Sequence, residues 1–240
     1  MNGLLVCATK PEWSELKKSL VFERVNSPIP LYQLKNQNIQ LLQVGIGPEM
    51  AKKNLQAYFG QQTPGWILHF GLSGGLDTQL AVGDCLLAEK ILTTHNSINT
   101  DPRWNIKITE IGQKNKINFK TGIQFSSDMV LARPAQKKLA LEKYHAIGVD
   151  MESYWVAEAA QKKQIPYYFL RSVFDTATED LSPLANANTI TPEGQLTPAG
   201  LATSLIKNPK LILSLPQYQK KAAIANKKLA QLIFDFLDTL

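Results

Sequence analysis

Short apolar runs recur along the 240 residues, and stretches of helical or turn-forming composition separate them. Runs of about four to eight apolar, β-branched or aromatic residues, bounded by Gly, Pro, Asn or Asp, predict buried strands. The predicted strands cover residues 3–8, 31–34, 39–44, 66–70, 85–88, 117–124, 146–149 and 167–173.

The intervening stretches predict helices where Ala, Leu, Glu, Gln and Lys dominate. Strands that alternate with helices are typical of an α/β domain, and the absence of a linker or repeat predicts a single domain over residues 1–240. The predicted helices cover 9–20, 49–59, 134–143, 153–164, 201–206, 211–215 and 217–240, and the predicted loops cover 71–75, 93–116 and 176–200.

The C-terminal stretch combines an apolar stripe with a basic face. Apolar residues recur at steps of three and four after Pro216, which predicts a final helix packed on the core. The segment 194–234 carries six Lys and no acid, so residues from about 197 to 240 form a basic tail. A basic tail can bind nucleic acid or an anionic membrane surface, or it can form only a solvated face. The sequence contains no fold signature of a nucleic-acid-binding protein. The stripe comprises Ala222, Ala225, Leu229, Leu232, Ile233, Phe236 and Leu240.

Composition predicts a globular cytoplasmic protein. Hydrophobic residues make up 44% and charged residues 19%, and no run reaches the ~18 apolar residues of a membrane span. The apolar run 3–8 is too short for a signal peptide. Cys7 and Cys85 lie in strand-like runs and are expected to be buried thiols in a reducing compartment. The two Cys and three His lack metal-binding spacing, so neither a metal nor a cofactor is expected.

Acidic residues follow two of the predicted strands, which makes residues 145–177 the central stretch of the chain. Glu152 comes shortly after strand 146–149, and Asp175 follows strand 167–173. Ligands of open α/β sheets bind outside the carboxyl ends of the strands, so both carboxylates are expected to line one cleft. Each acid taken alone also has a structural explanation. Glu152 can complement the helix dipole in the first turn of a helix, and Asp175 can begin a turn.

The segments 149–153 (Val-Asp-Met-Glu-Ser) and 171–175 (Arg-Ser-Val-Phe-Asp) resemble, in order and spacing, two motifs of the nucleoside phosphorylase and nucleosidase superfamily. The resemblance implies a three-layer α/β/α fold with a mixed, twisted and partly barrel-like sheet. It also implies cleavage of a purine N-glycosidic bond. In this interpretation Met151 and Glu152 bind the ribose, and Asp175 protonates the departing purine.

Further site residues follow from the same resemblance. Members of the superfamily carry an acid after the first strand that polarises the attacking water, and Glu12 stands at that position. Thr9 and Glu12 also have capping-box spacing, so Glu12 can serve both roles only if its side chain leaves the cap. The resemblance places Ser73 and Gly74 near the base and sugar, and either Met129 or Val130 against the purine.

The nucleophile is left open between water and phosphate. Phosphorylases of the superfamily have an Arg where this chain has His69 and a Ser where it has Leu72. These departures, with Glu12, favour water. The alternative is an unusual phosphate site with phosphate as co-substrate, built from His69, Lys10 or the Gly45–Gly47 turn, where glycines expose backbone N–H groups to an anion.

The substrate is likewise left between alternatives. Gly75-Leu76-Asp77, the Asp-Met-Glu-Ser core and the Pro-containing segment before the final helix are similar to the hopanoid-associated phosphorylase-like proteins. That subgroup implies adenosylhopane, a lipid-linked nucleoside, and peripheral contact with the anionic inner membrane face. The alternative is a methylthioadenosine/S-adenosylhomocysteine nucleosidase, and a more distant one is a non-catalytic nucleotide-binding module. Relatives commonly assemble, so a homo-oligomer is expected.

Overall fold

The structure of the protein is a computed structural model that describes residues 2–117, 119–182 and 211–240, with side chains described from residue 215 in the last segment. The predicted helix 201–206 lies outside the described residues, as does the predicted loop from residue 183 onward.

The described residues form ten strands, five α-helices and two short 3₁₀ turns. The strands are β1 (Gly3–Cys7), β2 (Phe22–Arg24), β3 (Leu31–Leu34), β4 (Ile39–Gln43), β5 (Trp66–Gly75), β6 (Cys85–Leu92), β7 (Ser97–Asn99), β8 (Phe119–Ser126), β9 (Ala146–Asp150) and β10 (Tyr167–Asp175). The helices are α1 (Gly47–Phe59), α2 (Pro102–Lys114), α3 (Pro134–Tyr144), α4 (Ser153–Lys162) and α5 (Leu211–Leu237).

The sheet is mixed, and part of it closes on itself. Strand β5 pairs with both β9 and β10, while β10, β6, β8 and β9 pair in that order, so these five strands form a closed barrel. Strands β1, β4, β3 and β2 extend the sheet from the other side of β5. The predicted mixed, partly barrel-like sheet is therefore confirmed.

Helices cover both faces of the sheet because each face presents apolar side chains. On one face Leu5, Leu68 and Leu170 pack beneath α5 with residues of α2. On the other face Val6 and Ile67 pack beneath α1 and α4. This arrangement confirms the predicted three-layer α/β/α class.

The predicted break at Pro216 is wrong, because α5 runs through this proline. Pro216 lies near the amino end of α5, so the helix loses a single backbone bond there while the remaining turns stay intact. The apolar stripe holds those turns in place, since Ala225, Leu229, Leu232 and Phe236 are fully buried. Leu240 lies beyond the helix end and is exposed, contrary to its predicted place in the stripe.

Other predicted elements also differ. The stretch 93–116, predicted irregular, contains β7 and α2, which begins at the N-cap Asp101 followed by Pro102, a helix-start signal that its polar composition obscured. The predicted helix 9–20 is replaced by 3₁₀ turns at Lys10–Trp13 and Leu16–Lys18. The predicted loop 71–75 is the end of β5, because β9 and β10 pair with its backbone.

Candidate active site

A cavity lies where the ends of β5, β9 and β10 meet, and it contains most of the residues predicted for the site. Residue 74 of β5 pairs with Asp175 on one side and with Val149 on the other. Strand β9 is antiparallel to β5, and Gly74 of β5 pairs with the ends of both β9 and β10. The two strand ends therefore meet at this glycine, and not at the common carboxyl edge of an open parallel sheet, from which one cleft was predicted. The predicted residues that line the cavity are Glu12, Gly74, Met129, Val130, Met151, Glu152 and Asp175.

Glu152 stands at the start of α4, and the predicted glycine turn holds it in place. The backbone N–H of Gly47 donates to Glu152 Oε1 at 2.7 Å. Gly47 has φ +82°, a conformation that glycine adopts without strain. Gly45 and Gly47 do not line the cavity, although Ile46 between them does, and the turn positions the ribose-binding candidate through the Gly47 N–H.

Burial raises the pKa of the Glu152 carboxyl to about 8, and the neighbouring Asp150 carboxylate adds to the rise, while the Gly47 N–H opposes it. Removing a charge from water costs free energy unless partners compensate it. Glu152 is therefore expected to lose its proton at a higher pH than an exposed glutamate does.

Asp175 ends β10 and lies beside a lysine that no sequence pattern singled out. Lys137 of α3 is fully buried, and its ammonium group pairs with Asp175 Oδ2. Burial raises the pKa of the Asp175 carboxyl, and the Lys137 charge opposes that rise. Nothing in the local sequence separates Lys137 from Lys138, whose side chain is 75% exposed.

Glu12 is buried and accepts three backbone hydrogen bonds. Oε2 accepts from the N–H groups of Ala8 and Thr9 at 2.8 Å, and Oε1 accepts from Leu72 N–H at 2.9 Å. Burial raises the pKa of the carboxyl, although these bonds and the Arg171 charge oppose it. The side chain lines the cavity while it keeps the Thr9 contact of the cap, and the catalytic role of Glu12 stays a prediction.

His69 does not line the cavity, contrary to its predicted place in a phosphate pocket. It is fully buried, and Arg171 Nη2 donates to His69 Nε2 at 2.8 Å. Nδ1 therefore carries the proton in the tautomer that satisfies this network, and it donates to the Tyr167 hydroxyl at 3.1 Å. Burial and the Arg171 charge lower the pKa of His69, so the ring is neutral and both nitrogens are engaged.

Arg171 is the central cation of a buried network beneath the cavity. Its Nε donates to Asp150 Oδ2 at 3.0 Å, and its Nη2 donates to Ser153 Oγ at 3.1 Å. A buried guanidinium requires such partners, because an unpaired charge in the interior is strongly destabilising. The network links β9, α4 and β10, and so fixes the strand ends that carry the cavity carboxylates.

The remaining predicted residues do not line the cavity. Ser73 Oγ is buried and donates to the Val149 carbonyl at 2.9 Å, which ties β5 to β9. Gly45 supplies the positive-φ turn after β4, and Lys10 is exposed outside the cavity. The candidate phosphate ligands are thus not gathered in one place.

Within the described residues, no group of three or more His, Cys, Asp and Glu side chains is placed to bind a metal. No helix in that part of the chain is both long and apolar enough to cross a membrane.

The sequence matches a known protein family and is similar to curated proteins. The sequence model of the phosphorylase superfamily matches residues 4–207. The 5′-methylthioadenosine/S-adenosylhomocysteine nucleosidase of Staphylococcus epidermidis is 23% identical in a 163-residue alignment that covers 60% of this chain and 72% of that protein. The corresponding Staphylococcus aureus enzyme is 23% identical in a 163-residue alignment that covers 60% of this chain and 71% of that protein.

Solved structures share the fold over nearly the whole chain. A Helicobacter pylori methylthioadenosine nucleosidase variant with 5′-methylthioadenosine in its active site superimposes with a TM-score of 0.73 at 18% identity, covering 98% of each chain. Futalosine hydrolase of Helicobacter pylori superimposes with a TM-score of 0.75 at 18% identity, covering 100% of this chain and 98% of that chain. Taken together, the match over most of the sequence and the cavity at the strand ends establish that this chain belongs to the phosphorylase superfamily and is an enzyme of its nucleoside phosphorylase or nucleosidase class.

Proposed function

We propose that the protein hydrolyses the N-glycosidic bond of a 5′-substituted adenosine of the 5′-methylthioadenosine or S-adenosylhomocysteine type. The observation that carries the proposal is the convergence of Asp175, Glu152 and Glu12 on one cavity. Cleavage of a glycosidic bond needs an acid for the leaving group, stabilisation of a cationic sugar and an activated nucleophile. The three carboxyl groups supply one candidate for each task.

The roles follow from where each group is held. Asp175 donates a proton to the purine, most simply at N7, so that the base leaves without negative charge. Glu152 accepts hydrogen bonds from the ribose hydroxyls, and its ionised form favours positive charge on the ring. Met151 packs on the apolar side of the ribose. Glu12 accepts a proton from the attacking water.

Water is favoured over phosphate by the charge of the cavity wall. Among the described residues, the wall contains four carboxyl groups, those of Glu12, Asp150, Glu152 and Asp175, and it contains neither Lys nor Arg. Phosphate sites normally present cations or free backbone N–H groups to the anion. In this protein the Gly47 N–H is already taken by Glu152, and His69 is neutral and buried.

The substrate class is supported by the relatives. The curated staphylococcal relatives are methylthioadenosine/S-adenosylhomocysteine nucleosidases, and one structural neighbour is a futalosine hydrolase. Adenosylhopane rests on the subgroup motifs alone and is therefore the second candidate. Met129 and Val130, the residues predicted to contact the purine, line the cavity and are exposed.

We expect base release from 5′-methylthioadenosine at equal rates with and without phosphate. The test incubates the protein with 5′-methylthioadenosine, S-adenosylhomocysteine, futalosine and adenosylhopane in separate reactions, and chromatography resolves free base, free sugar and sugar 1-phosphate. Release that requires phosphate, together with a sugar 1-phosphate product, would replace hydrolysis by phosphorolysis. Turnover of adenosylhopane alone would replace the proposed substrate class, and no release from any substrate would count against the proposed activity.

We expect nucleoside affinity to rise with pH up to about 8, because Glu152 must lose its proton to accept the ribose hydroxyls. Linkage of one proton gives up to about a tenfold change per pH unit below that pKa. Calorimetric titration of a non-cleavable adenosine analogue between pH 6 and pH 8 measures the slope. Glu152→Gln should remove this slope and weaken binding, and the loss should be smaller for the 2′-deoxy analogue. A slope that persists in Glu152→Gln would assign the proton to another group.

Membrane contact and self-association remain proposals. Of the tail lysines described, Lys221 pairs with Glu179 and Lys228 packs against Gly83, whereas Lys220 and Lys227 are exposed. Among the described tail residues, Lys220 and Lys227 are therefore the lysines most available to an anionic surface. The expected homo-oligomer stays a prediction, as does a location at the inner membrane face.

A further inference from the structure

Lys137 makes contacts unlike those of an ordinary surface lysine. It is fully buried, and its ammonium group donates to Asp175 Oδ2, to the Thr176 carbonyl at 2.6 Å and to the Glu179 carbonyl at 3.1 Å. An ammonium group has three N–H donors, so these contacts use all of them. The lysine therefore holds one carboxylate oxygen and the backbone that follows β10.

The other oxygen of Asp175 is left for a ligand. Among the described residues no group donates to Asp175 Oδ1, and Asp175 lines the cavity. At Gly74 an added Cβ would lie 3.5 Å from both carboxyl oxygens, so the glycine leaves the carboxyl group room beside the strand. Oδ2 is thus anchored to α3 while Oδ1 is available to the purine.

Other charges near Asp175 are largely compensated. Glu179 follows β10 and raises the pKa of Asp175, whereas Lys221 of α5 lowers it, and these two side chains pair with each other. Glu12 and Glu152 line the same cavity. Lys137 is therefore the cation in direct contact with the Asp175 carboxyl group.

We propose that Lys137 is a positioning residue that sets the acid strength of Asp175 by holding Oδ2 and stabilising the carboxylate left after proton transfer. The inference rests on the proposed function, since it takes Asp175 as the acid. As the bond between the sugar carbon and the purine nitrogen breaks, its electron pair goes to the purine, and the Oδ1 proton moves to purine N7. Water oxygen bonds to the sugar carbon and gives its proton to Glu12. Solvent then returns a proton to Asp175 and removes one from Glu12.

The physical reason is the balance between burial and charge. A buried carboxylic acid holds its proton tightly and is a weak donor. A cation in contact with it stabilises the conjugate base, which strengthens the acid. A purely structural lysine would tie α3 to the end of β10 without affecting this proton.

The test is the pH profile of kcat for Lys137→Gln, which removes the charge but keeps a hydrogen-bond donor. Without the cation, we expect kcat to fall by about 10–100-fold and KM to change less than threefold, since the acid is weaker. The alkaline limb should move to higher pH by about one unit or more, because activity requires protonated Asp175. Lys137→Arg should keep the limb near its original position, and Lys138→Gln should match the parent enzyme.

The double variant separates this inference from the proposed function. In the Asp175→Asn background, Lys137→Gln should change kcat by less than twofold, because the lysine acts through the missing acid. If the alkaline limb of the kcat profile does not move in Lys137→Gln and Asp175→Asn is inactive, the proposed role of Lys137 is overturned, and Asp175 keeps its role as the acid. High activity of Asp175→Asn would overturn the proposed function itself. If Lys137→Gln fails to fold, Lys137→Met in the same assay carries the same expectation, and thermal unfolding of both identifies folded protein.

Discussion

Asp175→Asn is expected to lower kcat for adenine release by a factor of about 10²–10⁴, while KM changes little. The amide keeps the shape of the carboxyl group but has no proton to give to the departing purine. The oxygen of the Asn side chain can still accept from the buried Lys137 ammonium, and thermal unfolding of the variant measures what the loss of the counter-charge costs. Steady-state kinetics with 5′-methylthioadenosine measures both parameters.

Two controls sharpen this expectation. Asp180→Asn changes an exposed acid five residues further along the chain and should leave turnover unchanged. A riboside with a leaving group that needs no protonation, such as nitrophenolate, should be cleaved by Asp175→Asn at close to the parent rate. Near-full activity of Asp175→Asn on the adenosine substrate would show that another group protonates the purine.

Glu12→Gln is expected to lower hydrolysis by a factor of about 10²–10⁴ for every substrate, including the nitrophenyl riboside. The amide cannot take the proton of the attacking water, so improving the leaving group brings no rescue. The carbonyl oxygen of Gln can still accept from Ala8 and Thr9 N–H, and the start of the chain should keep its fold. The contrast with Asp175→Asn separates water activation from leaving-group protonation.

The matched control for Glu12 is Glu15→Gln, which changes a carboxylate in the same segment that pairs with Lys18. Turnover of this control should equal that of the parent enzyme. If Glu12→Gln keeps its activity, or if phosphate restores activity to it, water activation by Glu12 is excluded as the basis of turnover.

The strand runs and the acids that follow them could be predicted from sequence because they depend on local chemistry. Buried strands need apolar runs, and Asp175 and Glu152 follow two of these runs directly. The glycine turn at Gly47 was also predictable, since a positive φ favours glycine, although its partner was not. Both acids line one cavity in the structure, and their role in a site stays a prediction.

Elements that depend on distant partners could not be predicted in this way. Residues 71–75 read as a loop because glycines weaken strands, yet β9 and β10 pair with their backbone. Pro216 predicts a helix break, yet the buried residues that follow it hold the helix together. In both cases tertiary contacts outweighed a local preference of about 1–3 kcal/mol.

The sequence by itself therefore determined the α/β class and the superfamily motifs, and it singled out the acids Glu12, Glu152 and Asp175 as candidates for the site. Only the tertiary structure decided what surrounds them. Lys137 lies 38 residues from Asp175 along the chain, and His69 lies 102 residues from Arg171. The proton affinity of a carboxyl group depends on burial and on charges within a few ångströms, and folding alone brings those groups together.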